Sequence, residues 1–404
     1  MRYFLLLSVA ICLFNCKQPE SEKLEKGMWR ATIEAQDSEV LPFNFEVVND
    51  STLTVFNAEE EIKVDEISFK NDSVIIKLPV FEGYLKAKLT AGKSLNGFFI
   101  IDELKRAVPF KAEYGVSHRF ETSKKADVNV DGIWETTFSP DSPEDKYKAK
   151  GIFKQNGDNV TGTFRTTTGD YRFLEGSVEG NTMKLSAFDG AHAFLFTADV
   201  NDSTMTGTFY SGNHFKESFK AKRNDMFELA DADSLTFLKP GYDALAFAFP
   251  DASGNMVSLS DAQFKDKVVV VQLMGTWCPN CLDESKYFVE YLKANNSDDI
   301  AFIGLAFEYA KTKEKAFENI QRLKSRLGIT YPILLAQYGS TNKESAQEKL
   351  PMLNHVLSYP TAIYIDKKGK VRKIHTGFNG PATGDLYDDY KSDFKSFIDK
   401  LLNE

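Results

Sequence analysis

The chain has 404 residues and a formal net charge of -9, with acidic and basic side chains mixed along it. That length fits two or three domains and is ample to bury cores without disulfide staples. No basic stripe is present, which argues against nucleic acid as a partner. Aromatic residues are 13% of the chain, mostly phenylalanine, which argues against disorder. The four cysteines, Cys12, Cys16, Cys278 and Cys281, are too few for a disulfide-stapled secreted scaffold.

Met1 and Arg2 supply a short positive start, and residues 3–14 form an apolar run too short to span a bilayer. The run ends in Leu13-Phe14-Asn15-Cys16. This resembles a bacterial lipoprotein signal, although Asn15 stands where that signal usually has a small residue. The resemblance implies that residues 1–16 end at a lipidated Cys16, with 17–26 as a tether. An ordinary cleaved signal or an uncleaved anchor are the other readings. In each of them the chain is exported, and with the lipid it is membrane-anchored and faces the periplasm. No other segment is long and apolar enough to cross a membrane.

Residues 27–223 alternate apolar and polar positions in short runs, such as 74–78, 84–89 and 193–197. Turn formers such as Asn71-Asp72, Asn156-Gly157-Asp158 and Asn201-Asp202 separate them. This predicts an antiparallel sandwich or barrel. The region is also duplicated. Gly27-Met28-Trp29 recurs as Gly132-Ile133-Trp134, and Phe81-Glu82-Gly83 as Phe188-Asp189-Gly190. Residues 94–98 and 109–112 recur at 204–208 and 218–221; the four offsets are 105, 107, 110 and 109. The expectation is two small β domains, 27–117 and 131–223, each an up-and-down barrel of about eight strands. One larger barrel shared by both copies is the alternative. Trp29 and Trp134 read as equivalent core anchors. His118, His192 and His214 are scattered and read as surface or strand histidines, so no chemistry is visible in this half.

After a linker at 224–244 the pattern changes. Residues 245–249 and 256–259 flank a turn and predict a hairpin. The run 268–274 (VVVVQLM) fits a strand buried on both faces. Strands are also predicted near 301–307, 332–335, 361–366 and 371–375, and helices at 278–295, 312–327 and 386–402. Strands alternating with helices give a mixed α/β sheet.

Cys278-Pro279-Asn280-Cys281 stands at a strand-to-helix junction. Unpaired N–H groups and the positive end of the helix dipole both favour a thiolate there. The second cysteine lies one turn further and can close a ring with the first. Half of a zinc site is the competing reading, but there is no second CxxC and no nearby histidine cluster to complete four ligands. No metal and no cofactor are expected.

The segment GTWCPNC (275–281) resembles the active-site segment of thioredoxin-fold proteins, and among them the TlpA/ResA-type extracytoplasmic disulfide reductases. A second motif, SYPTAIYID (358–366) followed by Gly369-Lys370-Val371, is similar too, as is RKIHTGFNGPATG (372–384) to the tail of Bacteroidetes-type members. The resemblance covers 245–404 and leaves out the β repeats. It implies a duplicated all-β region followed by a thioredoxin-like α/β domain. It also implies a cis Pro360 facing the cysteines, Cys278 as attacking thiolate and Cys281 as resolving thiol. Trp277, Pro279, Tyr359 and Pro360 would form the substrate groove. Glu284, three residues after Cys281 and on the same helical face, takes the position of an acid that handles protons in ResA-like proteins. Its other reading is a solvated first-turn glutamate stabilised by the dipole. Thioredoxins carry an aspartate where Gln272 stands, so proton transfer would fall to Glu284, to Glu308 or to water. His355 and His375 are not expected to be catalytic.

The expected function is reduction of disulfides in exported proteins, such as apocytochromes, through a mixed disulfide, with a thiol-type electron donor in the membrane. A peroxiredoxin-type peroxidase is a second reading, disfavoured because Gly275 stands where those enzymes place Thr or Ser. A β-barrel binding module with an accessory redox domain is the third.

Overall fold

A computed structural model describes residues 23–70, 72–295 and 297–404. The expected signal, the lipidation at Cys16, Cys12, Asn71 and most of the tether lie outside the described residues.

The first repeat is one antiparallel sheet of nine strands. Its neighbours run from Glu60–Val64 at one edge, through Thr52–Asn57, Val40–Asn49, Gly27–Glu34, Arg106–Tyr114, Ser94–Ile101, Tyr84–Thr90 and Ser73–Lys77, to Glu66–Lys70 at the other. Alternation builds it: Trp29, Ala31 and Ile33 point inward and are fully buried. The two edge strands adjoin in the chain but do not pair, so the curled sheet keeps an open seam.

The second repeat also has nine strands, and it closes. Asn159–Thr166 pairs with both Tyr147–Asn156 and Leu174–Glu179, leaving an eight-strand ring with Gly169–Asp170 as an added edge. Each repeat has nine strands against the expected eight or so, and only the second is a full barrel, its ring made of eight. The extra strands are short, Glu66–Lys70 having no buried residue and Gly169–Asp170 being only two residues long, so alternation does not mark them. The two tryptophans are equivalent in detail. Trp29 Nε1 donates to the Glu25 carbonyl at 2.9 Å and Trp134 Nε1 to that of Val130 at 2.8 Å, each four residues back.

The C-terminal domain has a five-stranded sheet in the order Ile333–Gln337, Ile300–Phe307, Val268–Met274, Thr361–Ile365, Val371–Thr376. The first three strands run parallel, Thr361–Ile365 runs antiparallel to them, and Val371–Thr376 pairs antiparallel with Thr361–Ile365 and so points the same way as the first three. Every residue of Val268–Met274 is buried, as its apolar run, interrupted only by Gln272, requires. Around the sheet lie α1 (Pro279–Ala294), α2 (Lys313–Leu327), α3 (Lys343–Lys349) and α4 (Asp385–Asn403). Only α3 has no counterpart in the sequence reading; its seven mostly polar residues, about two turns, carry no periodic signal. The linker is not loose. Thr236 is buried and bonded to Thr376 at 2.8 Å, and Lys239 N–H donates to the Met352 carbonyl at 2.8 Å.

Aromatic side chains and ion pairs lock the three parts together. Phe188, from the second repeat, enters the core of the first and stacks on Phe43 with centroids 4.3 Å apart. Phe81, its counterpart in the first repeat, enters the core of the C-terminal domain. Asp65 and Glu66, at the open seam, take Arg326 and Arg322 of α2. Arg172, nearly fully buried, binds Glu60 of the first repeat and Asp283 of α1, and lies 3.8 Å from Asp189.

Candidate active site

The fully buried central strand Val268–Met274 ends at Gly275 and delivers the chain to the start of α1. Gly275 is required by close approach: a Cβ there would stand 2.3 Å from Trp277 Nε1. This lets the indole fold back and donate to the Phe307 carbonyl at 2.9 Å. Cys278 is the N-cap of α1 and Pro279 opens the helix, where its missing N–H costs nothing.

The two cysteines are free thiols in unlike surroundings. Cys278 Sγ accepts from the Cys281 N–H at 3.3 Å and donates to the Tyr359 carbonyl at 3.4 Å. It keeps 7% exposure, whereas Cys281 has none. Burial, and then the bond with Cys278, pushes the Cys281 thiol well above its ordinary range. The Tyr359-Pro360 peptide is cis. The Tyr359 ring meets Trp277 edge-on at 5.9 Å. Trp277, Pro279 and Tyr359 line one cavity with Cys278, and Pro360 follows Tyr359 across the cis peptide.

Glu284 is fully buried, not solvated. Its carboxyl accepts from Gln272 Nε2 at 2.8 Å and from the Tyr390 hydroxyl at 3.1 Å. Burial pushes it up to about 8. Gln272 also donates to the Cys281 carbonyl at 3.3 Å, tying acid and cysteine together. Glu308 is equally buried but faces another way. It accepts from the Thr276 N–H at 2.8 Å and hydroxyl at 2.7 Å, and burial raises it to about 7. It anchors the turn two residues before Cys278. His355 and His375 lie apart, bonded to the Leu235 carbonyl and to Asp233.

Several neighbours of Cys278 were not visible in the sequence. The 166–172 hairpin of the second repeat stands over the pair. Asn280 Nδ2 donates to the Asp170 carbonyl at 3.2 Å and Ser358 Oγ to that of Thr168 at 2.8 Å. Gly169, with φ +145°, leaves no room for a side chain, since a Cβ would lie 2.1 Å from Asn280 Nδ2. Lys343, at the start of α3, lines the same cavity as Cys278, and burial lowers its ammonium pKa. His192 and His214 converge beside Arg106 in an adjoining cavity. Among the described residues no group of three or more His, Cys, Asp or Glu is arranged to hold a metal ion, and no helix is long and apolar enough to cross a membrane.

Residues 239–389 match the Redoxin family. The chain is 29% identical over 140 residues to the thioredoxin-like protein YneN of Bacillus subtilis (strain 168), covering 35% of this chain and 73% of that one. It is 28% identical over 142 residues to the thiol-disulfide oxidoreductase ResA of Geobacillus thermodenitrificans (strain NG80-2), covering 35% and 72%. A solved thiol:disulfide interchange protein of the thioredoxin family from Chlorobium tepidum TLS aligns with 40% of this chain and 95% of its own, at 23% identity and a TM-score of 0.29.

Proposed function

We propose that the C-terminal part of this chain is a TlpA/ResA-like thiol–disulfide oxidoreductase that works as a reductase of disulfides in exported proteins, with Cys278 as nucleophile and Cys281 as resolving thiol; the Redoxin match and the similarity to YneN and ResA support it. The asymmetry of the pair carries this reading. Cys278 Sγ stands at the helix N-terminus, accepts the Cys281 N–H and opens to a cavity, while burial holds Cys281 protonated until it is needed.

The Cys278 thiolate attacks one sulfur of the substrate disulfide. A Cys278–substrate disulfide forms and the other substrate sulfur leaves as thiolate. Cys281 then loses its proton toward ionised Glu284 and attacks Cys278 Sγ. This closes the 278–281 disulfide and releases the second substrate thiolate. Two electrons pass from the pair to the substrate, whose thiolates take up two protons. A dithiol donor returns the electrons by the same exchange. Gln272 and Tyr390 position Glu284, and Glu308 fixes the turn carrying Trp277. A thiol-type donor in the membrane and an N-terminal lipid at Cys16 complete the proposal.

The test is the reduction potential of the couple, together with a trap. A value near about -270 mV supports a reductase, and one near about -120 mV means an oxidant and reverses the direction. Cys281→Ser should accumulate a mixed disulfide with substrate, and Cys278→Ser should give none. An adduct on Cys281 alone would reverse the order of attack.

A further inference from the structure

Cys278 opens into a cleft with three walls. A cavity of about 490 Å³ lies between the 166–172 hairpin and the Trp277-Cys278 and Ser358-Tyr359 segments. A second, of about 500 Å³, shares Tyr171, His192, Phe194 and Trp277 with it and runs on between the two repeats. Either one has the volume of a small-ligand site, so together they exceed what a small disulfide fills. The walls are fixed to one another. Arg172 joins all three parts, Phe188 and Phe81 cross the two interfaces, and Ser358 and Asn280 hold the hairpin by its carbonyls. A bulky folded surface cannot reach a sulfur that is 7% exposed beneath this hairpin.

The cleft is mostly apolar along its whole length. Beside Cys278, Tyr171, Phe194 and Leu357 stand with the backbone of the hairpin and its threonines. Further in lie Phe81, Phe99, Ile101 and Phe209. At that end stands Arg106, whose guanidinium is half-buried and has no ion pair among the described residues. His192 and His214 flank it, and burial first, then the charges of Arg106 and His192, holds His214 down to about 4. Glu82 is the one carboxylate in this lining among the described residues, and burial raises it. A half-buried cation with no ion pair favours an anion brought by the ligand.

We propose that this cleft is the substrate site and takes an extended, unfolded polypeptide whose reacting cysteine is accompanied by a large apolar residue and an acidic one. The main chain lies along the hairpin, the apolar side chain fills the recess, and the carboxylate meets Arg106. The proposal rests on the thiol–disulfide reading above, and the β repeats become the substrate-recognising part of the enzyme.

The test uses the full chain, reduced beforehand, in single-turnover stopped flow with tryptophan fluorescence. Four oxidants are compared. The first is a flexible peptide with an internal disulfide and Phe and Glu beside its cysteines. The second is the same peptide with Ser and Lys there. The third is a compact folded protein with a surface disulfide, and the fourth is bis(2-hydroxyethyl) disulfide. The Phe/Glu peptide should react about tenfold or more faster than the Ser/Lys peptide, and the folded protein more slowly than either. In Arg106→Ala the preference between the peptides should shrink about five-fold. Equal rates for the two peptides, or a folded protein as fast as the Phe/Glu peptide, overturn the proposal. If the hydroxyethyl disulfide oxidises the pair while the peptides are alike, the cleft reading alone falls. If no disulfide oxidises the pair, the thiol–disulfide reading falls with it.

Discussion

Replacing Glu284 with glutamine separates two effects that one buried acid exerts at once. Burial moves this carboxyl from 4.5 to about 8, so the folded chain holds a proton that the unfolded chain has released over that window. Stability contributed by the site is therefore greatest below about 4.5 and falls as pH rises toward about 8, where the cost of the buried charge is complete. At about 1.4 kcal/mol per pH unit, that cost is on the order of 3–5 kcal/mol. Glutamine never ionises and can still accept from Gln272 and donate to Tyr390. Glu284→Gln should thus match the parent protein within about 1 kcal/mol at pH 5 and exceed it by a few kcal/mol at pH 9. Urea unfolding of the reduced protein at the two pH values, followed by fluorescence, reads this directly. Kinetics should move the other way. Only ionised Glu284 accepts the Cys281 proton, so resolution in the parent should rise about tenfold from pH 7 to above pH 8. The variant should be slower, with that rise missing. A stability difference that does not change with pH, or a pH–rate profile identical in the two proteins, would refute the argument that Glu284 is a buried acid coupled to Cys281.

Glu308→Ala strips the acceptor from the Thr276 N–H and hydroxyl; it should cost about 1–3 kcal/mol and loosen Trp277, seen as faster quenching of its fluorescence by iodide. Arg172→Met leaves Glu60, Asp189 and Asp283 without their shared cation; the expected loss is about 3–5 kcal/mol, and separate unfolding steps in calorimetry would show the parts uncoupled. Phe188→Ala empties the site stacked on Phe43 and should cost about 3–5 kcal/mol, whereas an unchanged melting temperature would mean that the repeats are not held by this side chain.

The C-terminal domain was legible because its signals are local. An apolar strand, a glycine turn and CPNC follow one another within 14 residues, 268–281, and each has a physical reason to sit beside the next. Duplication of the β region was legible through repeated turns and tryptophans. Closure was not, because whether strands at the two ends of a sheet meet depends on curvature. Here the second copy closes through the pairing of 147–156 with 159–166, and the first stays open beside Asp65. The acid at Glu284 was visible by its spacing from Cys281, but its burial follows from α4, which brings Tyr390 from 106 positions away. Arg106, His192 and the 166–172 hairpin are ordinary residues in ordinary strands. Nothing near them in the chain shows that folding sets them along the two adjoining cavities that start at Cys278.

The four residues of CPNC give the same two thiols different tasks, and the difference comes from one helical turn. At the cap, Sγ accepts an N–H that has no partner within the helix and faces a cavity, so a partner can approach. One turn further the sulfur lies in the core with a carboxyl held protonated at neutral pH, so charge is resisted until the proton has somewhere to go. A bare pair of this kind reacts with any disulfide that reaches it. The 166–172 hairpin narrows that reach, and it is fixed to α1 through Asn280, a residue inside the CPNC turn itself. Selectivity is thereby built into the same turn that sets reactivity: a substitution at Asn280 disturbs the wall of the cleft and the geometry of the cysteine ring together, which an isolated thioredoxin-like domain would not require.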